Sequence, residues 1–345
     1  MRTSDEEVLP TNTLYNSSST TTTTNNNHGV SVFQIKILNV AAFILTLALN
    51  YISSAGLISP YGVGTVSRQH PTKITPASGA FGIWGYIYGL EGLFVVYQFF
   101  WPTQDNAMLL HGVGFWFCSA CLFNSLWIIT FVQGNTTAMW FSMVLIVGLL
   151  SSICKIYVNT ACWAGDRPGG IIQSVALDVH ISLYAGWVTV ATIVNTSVAL
   201  STALGDVEPA MASACCVVML VVALLLNLWI VVTRRDCVWG WVLTWAAHFI
   251  SVENKTNNTI YISSIVVSVI IGIVTAAVGV YTGVTWFRGR NATTAGEEMI
   301  ASKQVVYSHS DLDTCSGAND ECTVAVGGAV GGAVGGAAGC NSSVV

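Results

Sequence analysis

Phe81, Trp84, Tyr88 and Glu91 follow one another at steps of three, four and three residues, and Tyr184, Trp187, Ala191 and Asn195 at steps of three, four and four. On a helix such steps place side chains on one face, so each run is a stripe, and the two stripes can face each other. A third run sets Asn124 one turn before Trp127. The chemistry on offer is recognition. Aromatic faces give apolar area for a flat guest, tyrosine hydroxyls and asparagine amides give a few orienting hydrogen bonds, and the small side chain of Ala191 leaves room. The same residue types also serve packing alone, because membrane helices associate through small residues and amide hydrogen bonds worth about 0.6–2 kcal/mol. For Asn124 and Asn195 both roles fit.

Glu91 is the one carboxylate well inside an apolar run, where an ionised acid costs on the order of a few kcal/mol unless it is protonated, paired or hydrated. Two roles account for it: a proton-binding acid beside Trp84, or a neutral group bonded to another helix through Gln98 or His111. His248 shares a face with Trp241 and Trp245 and reads as a buried polar contact, whereas Asp178 and His180 fall near a helix end where water can solvate them. Of the ten cysteines, Cys118, Cys121, Cys154, Cys215 and Cys216 lie in apolar runs and read as small, soft packing residues. Cys118-x-x-Cys121 has metal-like spacing without a second ligand pair, so no metal site is assigned. Phosphate loops, His-Glu-x-x-His and Gly-x-Ser-x-Gly sequences are missing, and no acid–base pair is evident. The chain therefore reads as a non-enzyme that requires no cofactor, and nucleic acid is not an expected partner.

These stripes need long apolar elements to carry them. With 53% hydrophobic and 8% charged residues, and apolar runs of twenty or more, the chain is an all-α polytopic membrane bundle. Barrel strands are excluded, since they alternate and are about half as long. Spans are predicted at 36–58, 79–100, 108–133, 138–158, 179–200, 210–233, 237–252 and 260–287, about eight in all. The seventh is the shortest, covering only ~24 Å at 1.5 Å per residue, so it must be thinned around, partly buried or re-entrant, and seven spans are the alternative count. With eight spans and both termini cytoplasmic, Arg2, Lys36, Lys155, Arg167, Arg234, Arg235, Arg288, Arg290 and Lys303 share one side against Arg68, Lys73 and Lys255 on the other, as the positive-inside rule requires. Trp101, Trp163 and Trp286, at span ends, read as interfacial belt residues. Residues 1–35, rich in Ser, Thr and Asn, lack the apolar surface to offset chain entropy and read as disordered. Residues 288–345, ending in V-G-G-A repeats, read as a flexible tail.

The three aromatic runs resemble those of the tryptophan-rich sensory protein and translocator protein (TspO/MBR) family, above all its longer relatives. T-P-A-S-G-A-F-G-I-W-G-Y-I-Y at 75–88 is similar to the family's second-span pattern, with Thr75, Pro76, Phe81, Trp84, Gly85 and Tyr88 in place. Asn124-x-x-Trp127 falls where the family has L-N-x-x-W, and Tyr184-x-x-Trp187-x-x-x-Ala191-x-x-x-Asn195 matches its fifth-span pattern. Trp140 suits the family's tryptophan at the start of the fourth span. Two departures stand out: Leu183 replaces a frequent proline, and three further spans follow at 201–287, with R-R-D at 234–236 similar to a turn of the longer relatives.

The resemblance implies a five-helix bundle over 36–200 that encloses a cleft capped by the 59–78 loop. It also implies binding of a flat hydrophobic ligand, a porphyrin or other tetrapyrrole, a sterol or a similar molecule, in sensing, trafficking or stress regulation. The expected ligand-binding set is Phe81, Trp84, Tyr88, Asn124, Trp127, Trp140, Tyr184, Trp187, Ala191 and Asn195, with the rings of Trp84, Trp140 and Trp187 converging on one hollow. Membrane lipids are further partners, and a homodimer is compatible with this architecture. The rival expectation is a proton-coupled secondary transporter of a small organic solute that uses Glu91.

Overall fold

The computed structural model describes residues 31–101, 103, 106–161, 170–205 and 208–314, with backbone alone for 161 and 289–314. Apolar runs in which each amide must find its partner locally fold as helices, and among the described residues there are helices and no strands. They are α1 (Val32–Ser54), α2 (Val63–Gln69), α3 (Ile83–Tyr97), α4 (Trp116–Phe131), α5 (Thr136–Ala161), α6 (Gly170–Gln173), α7 (His180–Leu204), α8 (Pro209–Arg234), α9 (Cys237–Glu253) and α10 (Asn258–Thr314). A 3₁₀ turn, Ser78–Gly82, leads into α3, and wide π-helical turns, Met108–Val113 and Ser174–Val179, precede α4 and α7. Short connections make sequence neighbours antiparallel. Gly134 and Gly205 turn the chain after α4 and α7 with φ of 69° and 67°, values that an L side chain resists.

Seven helical stretches are long and apolar enough to cross a bilayer. α9, at 17 residues, falls short of that length, as the sequence foreshadows, yet it runs from one end of the bundle to the other. At its start Asp236 meets Tyr157 near the end of α5 and Ser182 near the start of α7; toward its finish Phe249 O accepts from Ala77 N, just before α3. It packs against α7, α8 and α10, an eighth long helix inside the bundle beside the seven that qualify as spans by length and composition. α10 continues to Thr314, past Phe287 where the last span was expected to finish. Of the expected tails at 1–35 and 288–345, residues 32–35 belong to α1 and 288–314 to α10, while 1–30 and 315–345, with Trp163, lie outside the described residues.

Close helix approach follows from small residues. A methyl group on Gly186 of α7 would sit 3.2 Å from Val242 of α9, so glycine there lets the two helices touch. Polar ties set the register elsewhere. Asn39 of α1 donates to Gln98 Oε1 at 3.0 Å, Gln98 Nε2 returns a bond to Lys36 O at 3.1 Å, and Ser119 and Ser152 join α4 to α5 at 2.9 Å.

Asp236 is the junction between the first five membrane helices and the last three. Its Oδ1 caps α9 by accepting from Trp239 N at 3.0 Å, and its Oδ2 accepts from Tyr157 Oη at 2.9 Å and from Ser182 Oγ at 2.6 Å. Removing it uncaps a helix and strands two hydroxyls. Asp236→Ala is expected to lower the apparent Tm in mild detergent by about 5 °C or more, with Asp236→Asn losing less because it retains an acceptor; thermal aggregation assays on the two variants check the order.

Candidate functional site

The two predicted stripes do face each other. Trp84 on α3 stands at their centre: Tyr88 stacks on it at 5.5 Å between ring centroids, Trp127 of α4 stacks at 6.0 Å, and Tyr184 and Trp187 of α7 meet it edge-on at 6.0 and 6.3 Å. Phe81 packs edge-on against Trp187 at 6.2 Å, and Phe131 stacks on Trp127 at 5.4 Å. The resulting cleft is walled by Phe81, Trp84, Trp127, Trp187, Ala191 and Asn195, with Val63, Ser67 and Pro76 of the covering loop above them. Its free volume is about 30 Å³, enough for about one water. The rings fill it themselves, so the open hollow expected from the sequence is not what forms.

Asn195 and Asn124 are both spent on holding rings. Asn195 Oδ1 accepts from Trp127 Nε1 at 3.0 Å while its Nδ2 donates to Ser142 Oγ of α5 at 3.0 Å. Asn124 Nδ2 donates to Tyr184 Oη at 3.1 Å, and its Oδ1 accepts from Asn50 Nδ2 of α1 at 3.0 Å. Tyr88 Oη donates to Asn50 Oδ1 at 2.9 Å. Tyr88, Asn124 and Tyr184 thus form a polar cluster behind Trp84 rather than walls of the cleft. Asn50 belongs to that cluster and was not singled out from the sequence. The available signal was an amide in the middle of an otherwise apolar run, which hydrocarbon does not tolerate without a partner.

Several expectations need correction. Trp140 does not converge with Trp84 and Trp187: it lies on the outer face, 38% exposed. Trp101 is no belt residue but is buried, edge-on to Phe94 and Tyr97. His180 is fully buried, not solvated at a helix end, and stacks between Phe94 and Tyr184, because the π turn continues the α7 path beyond the expected start of the span. Glu91 is 1% exposed and its contact is neither Gln98 nor His111. Cys121 Sγ donates to Glu91 Oε1 at 3.7 Å, and Oε2 has no partner among the described residues. Trp286 is 55% exposed.

The loop over the cleft is pinned from three sides. His70 Nε2 is 2.7 Å from Gly134 O after α4, Lys73 Nζ donates to Pro209 O at 2.7 Å and Ser213 Oγ at 2.6 Å on α8, and Trp245 Nε1 of α9 donates to Ala80 O at 3.2 Å. Gly79 lets Phe249 of α9 come close; a methyl there would sit 2.6 Å from its ring. The loop also contains α2, which the sequence reading passed over as irregular chain. Since Trp127 and Asn195 act through one bond, Asn195→Leu and Trp127→Phe are each expected to cost about 1–2 kcal/mol, with non-additivity of at least about 0.5 kcal/mol in the double variant. SDS-titration unfolding in mixed micelles measures that cycle.

A family model described as TSPO-like protein matches residues 36–278. The match runs through α8 and α9 and into α10, so it embraces the additional helices as well as the first five. No curated protein and no solved structure matches the chain. With the aromatic stripes facing each other beneath a pinned loop, and the family match spanning well over half its length, this chain belongs to the TSPO-like family of multi-pass integral membrane proteins.

Proposed function

We propose that this protein binds a planar, largely apolar ligand of tetrapyrrole or sterol kind against Trp84, in the cleft walled by Trp127 and Trp187, in sensing, trafficking or stress regulation rather than turnover. The observation that carries this reading is Trp187. Its ring is a wall of the cleft, 2% exposed, and its buried indole N–H meets no hydrogen-bond partner among the described residues. An unspent buried donor costs about 1–3 kcal/mol, which an acceptor on a bound guest would recover. The described form is closed. A guest enters by parting the Trp84–Trp127 stack and replacing one ring face with its own, and Ala191 marks the wall where bulk is lowest.

The membrane lipids provide the surroundings, and the cleft's mouth lies at the end carrying Arg68, Lys73 and Lys255. The opposite end carries Lys36, Lys155, Arg234, Arg235 and Arg288; we assign it to the cytoplasm because positive charge accumulates there. Glu91 lies on the far side of the Tyr88–Asn124–Tyr184 cluster and lines neither the cleft nor its mouth, so the geometry favours binding over a transport cycle that runs through that acid.

Saturable quenching of tryptophan fluorescence by a porphyrin tests the proposal. Trp187→Ala and Ala191→Phe are expected to weaken it by at least about tenfold, and Trp286→Ala, at the surface, to leave it unchanged. Equal loss in all three, or a proton-linked flux in proteoliposomes abolished by Glu91→Gln, would overturn it.

A further inference from the structure

We infer that the ligand carries an anionic edge, and that Arg68 holds this edge in a polar vestibule at the mouth of the cleft. The inference rests on the ligand-binding role proposed above and deepens it.

A second cavity of about 300 Å³ shares Ser67, Pro76 and Phe81 with the aromatic cleft, so the two spaces adjoin beneath the covering loop. The characters differ. The inner space is walled by rings and valines, whereas the outer one is walled by Arg68, Thr72, Thr75 and, from α9, Glu253. A guest that occupies both must be apolar at one end and polar at the other.

The charge of that polar end follows from which donors are unspent. The Arg68 guanidinium uses Nη2 on Thr65 Oγ1 at 3.2 Å, and among the described residues it forms no ion pair. Its remaining N–H groups form a planar fork suited to a carboxylate or phosphate. Thr72 and Thr75 share one hydroxyl–hydroxyl bond at 3.0 Å, and Thr75 Oγ1 also accepts from Thr72 N, which leaves the pair one hydroxyl hydrogen to donate. Unspent donors therefore outnumber unspent acceptors on the α2 side. Glu253 stands as the opposing charge on the same chamber, and it weakens the field of Arg68 without neutralising it by contact. Removing its charge should tighten an anion.

The vestibule also solves an energetic problem. A carboxylate carried into the ring-lined space would lose its hydration, a cost of several kcal/mol, whereas one left in the polar chamber keeps hydrogen bonds while the flat body lies among the rings.

The test compares two probes of one shape, a porphyrin dicarboxylic acid and its dimethyl ester, on the full chain in nanodiscs of zwitterionic lipid, read by tryptophan quenching. The wild type is expected to bind the diacid about tenfold more tightly than the diester, with the preference shrinking as salt is raised. Arg68→Gln should reduce diacid affinity by about fivefold or more and leave the diester unchanged, Arg68→Lys should retain part of the preference, and Glu253→Gln should strengthen the diacid. If both probes bind the wild type equally, or Arg68→Gln shifts both alike, the anionic-edge inference falls while ligand binding stands. Tighter binding of a porphyrin carrying two amines than of the diacid, with that preference lost in Glu253→Gln, would mean a cationic edge and overturns it as well. If neither probe saturates, the ligand-binding role itself fails.

Discussion

Hydrocarbon supplies no hydrogen bonds, so amides and hydroxyls placed within a span seek partners in their own helix or on a neighbour, and the bonds that cross between helices set the register of this bundle. Asn50, Asn124, Tyr88 and Tyr184 draw α1, α3, α4 and α7 together around one shared polar centre, and Asn195 ties Trp127 of α4 to Ser142 of α5. A shift of any of these helices by one residue would turn an amide toward lipid. The aromatic rings are positioned as a consequence. Trp84 meets four rings at 5.5 to 6.3 Å because the polar bonds behind it fix the helices that bear them.

The last three helices act on the same site from outside it. α8 and α9 hold the loop that roofs the cleft through Lys73, Trp245 and the Ala77–Phe249 backbone bond, and Asp236 anchors the far end of α9 to α5 and α7. The cover is thus attached to one end of this short helix, and α5 and α7, two of the helices that bear the site, to the other. Movement of α9 would be transmitted to both, which gives these helices a structural connection to the site that the aromatic runs alone do not reveal.

Much of this was legible in the sequence because periodicity and hydrophobicity are local. The stripes of α3 and α7, the long apolar helices and the family resemblance all follow from spacing within single runs. What depends on tertiary approach was not legible. Trp140 carries the right residue type at a span start, yet the rotation of α5 turns it outward, and rotation is fixed by partners such as Ser142 and Ser152 that no pattern marks. His180 and Trp101 were placed by proximity to span ends, but the π turn and the unexpected packing of Phe94 against both rings bury them. The charged lining of the vestibule joins α2 to the end of α9, positions 185 residues apart at Arg68 and Glu253, and no local signal connects them.

The filled cleft bears on how affinity can arise. Aromatic pairs contribute about 0.5–1.5 kcal/mol each beyond the area they bury, so a flat guest that separates Trp84 from Trp127 mostly exchanges one stacking contact for another. Stacking then selects planarity while supplying little net free energy. The net gain must come from groups that have nothing to lose: the Trp187 N–H that lacks a partner among the described residues, and apolar guest surface taken from water into the ring-lined space. Opening the roof costs the Lys73 and Trp245 bonds, and only a guest that recovers more than this can remain. On the proposed binding role, the site would discriminate by making entry expensive, since a small apolar molecule can match the shape of the slot but offers neither the area nor the acceptor to offset the opening.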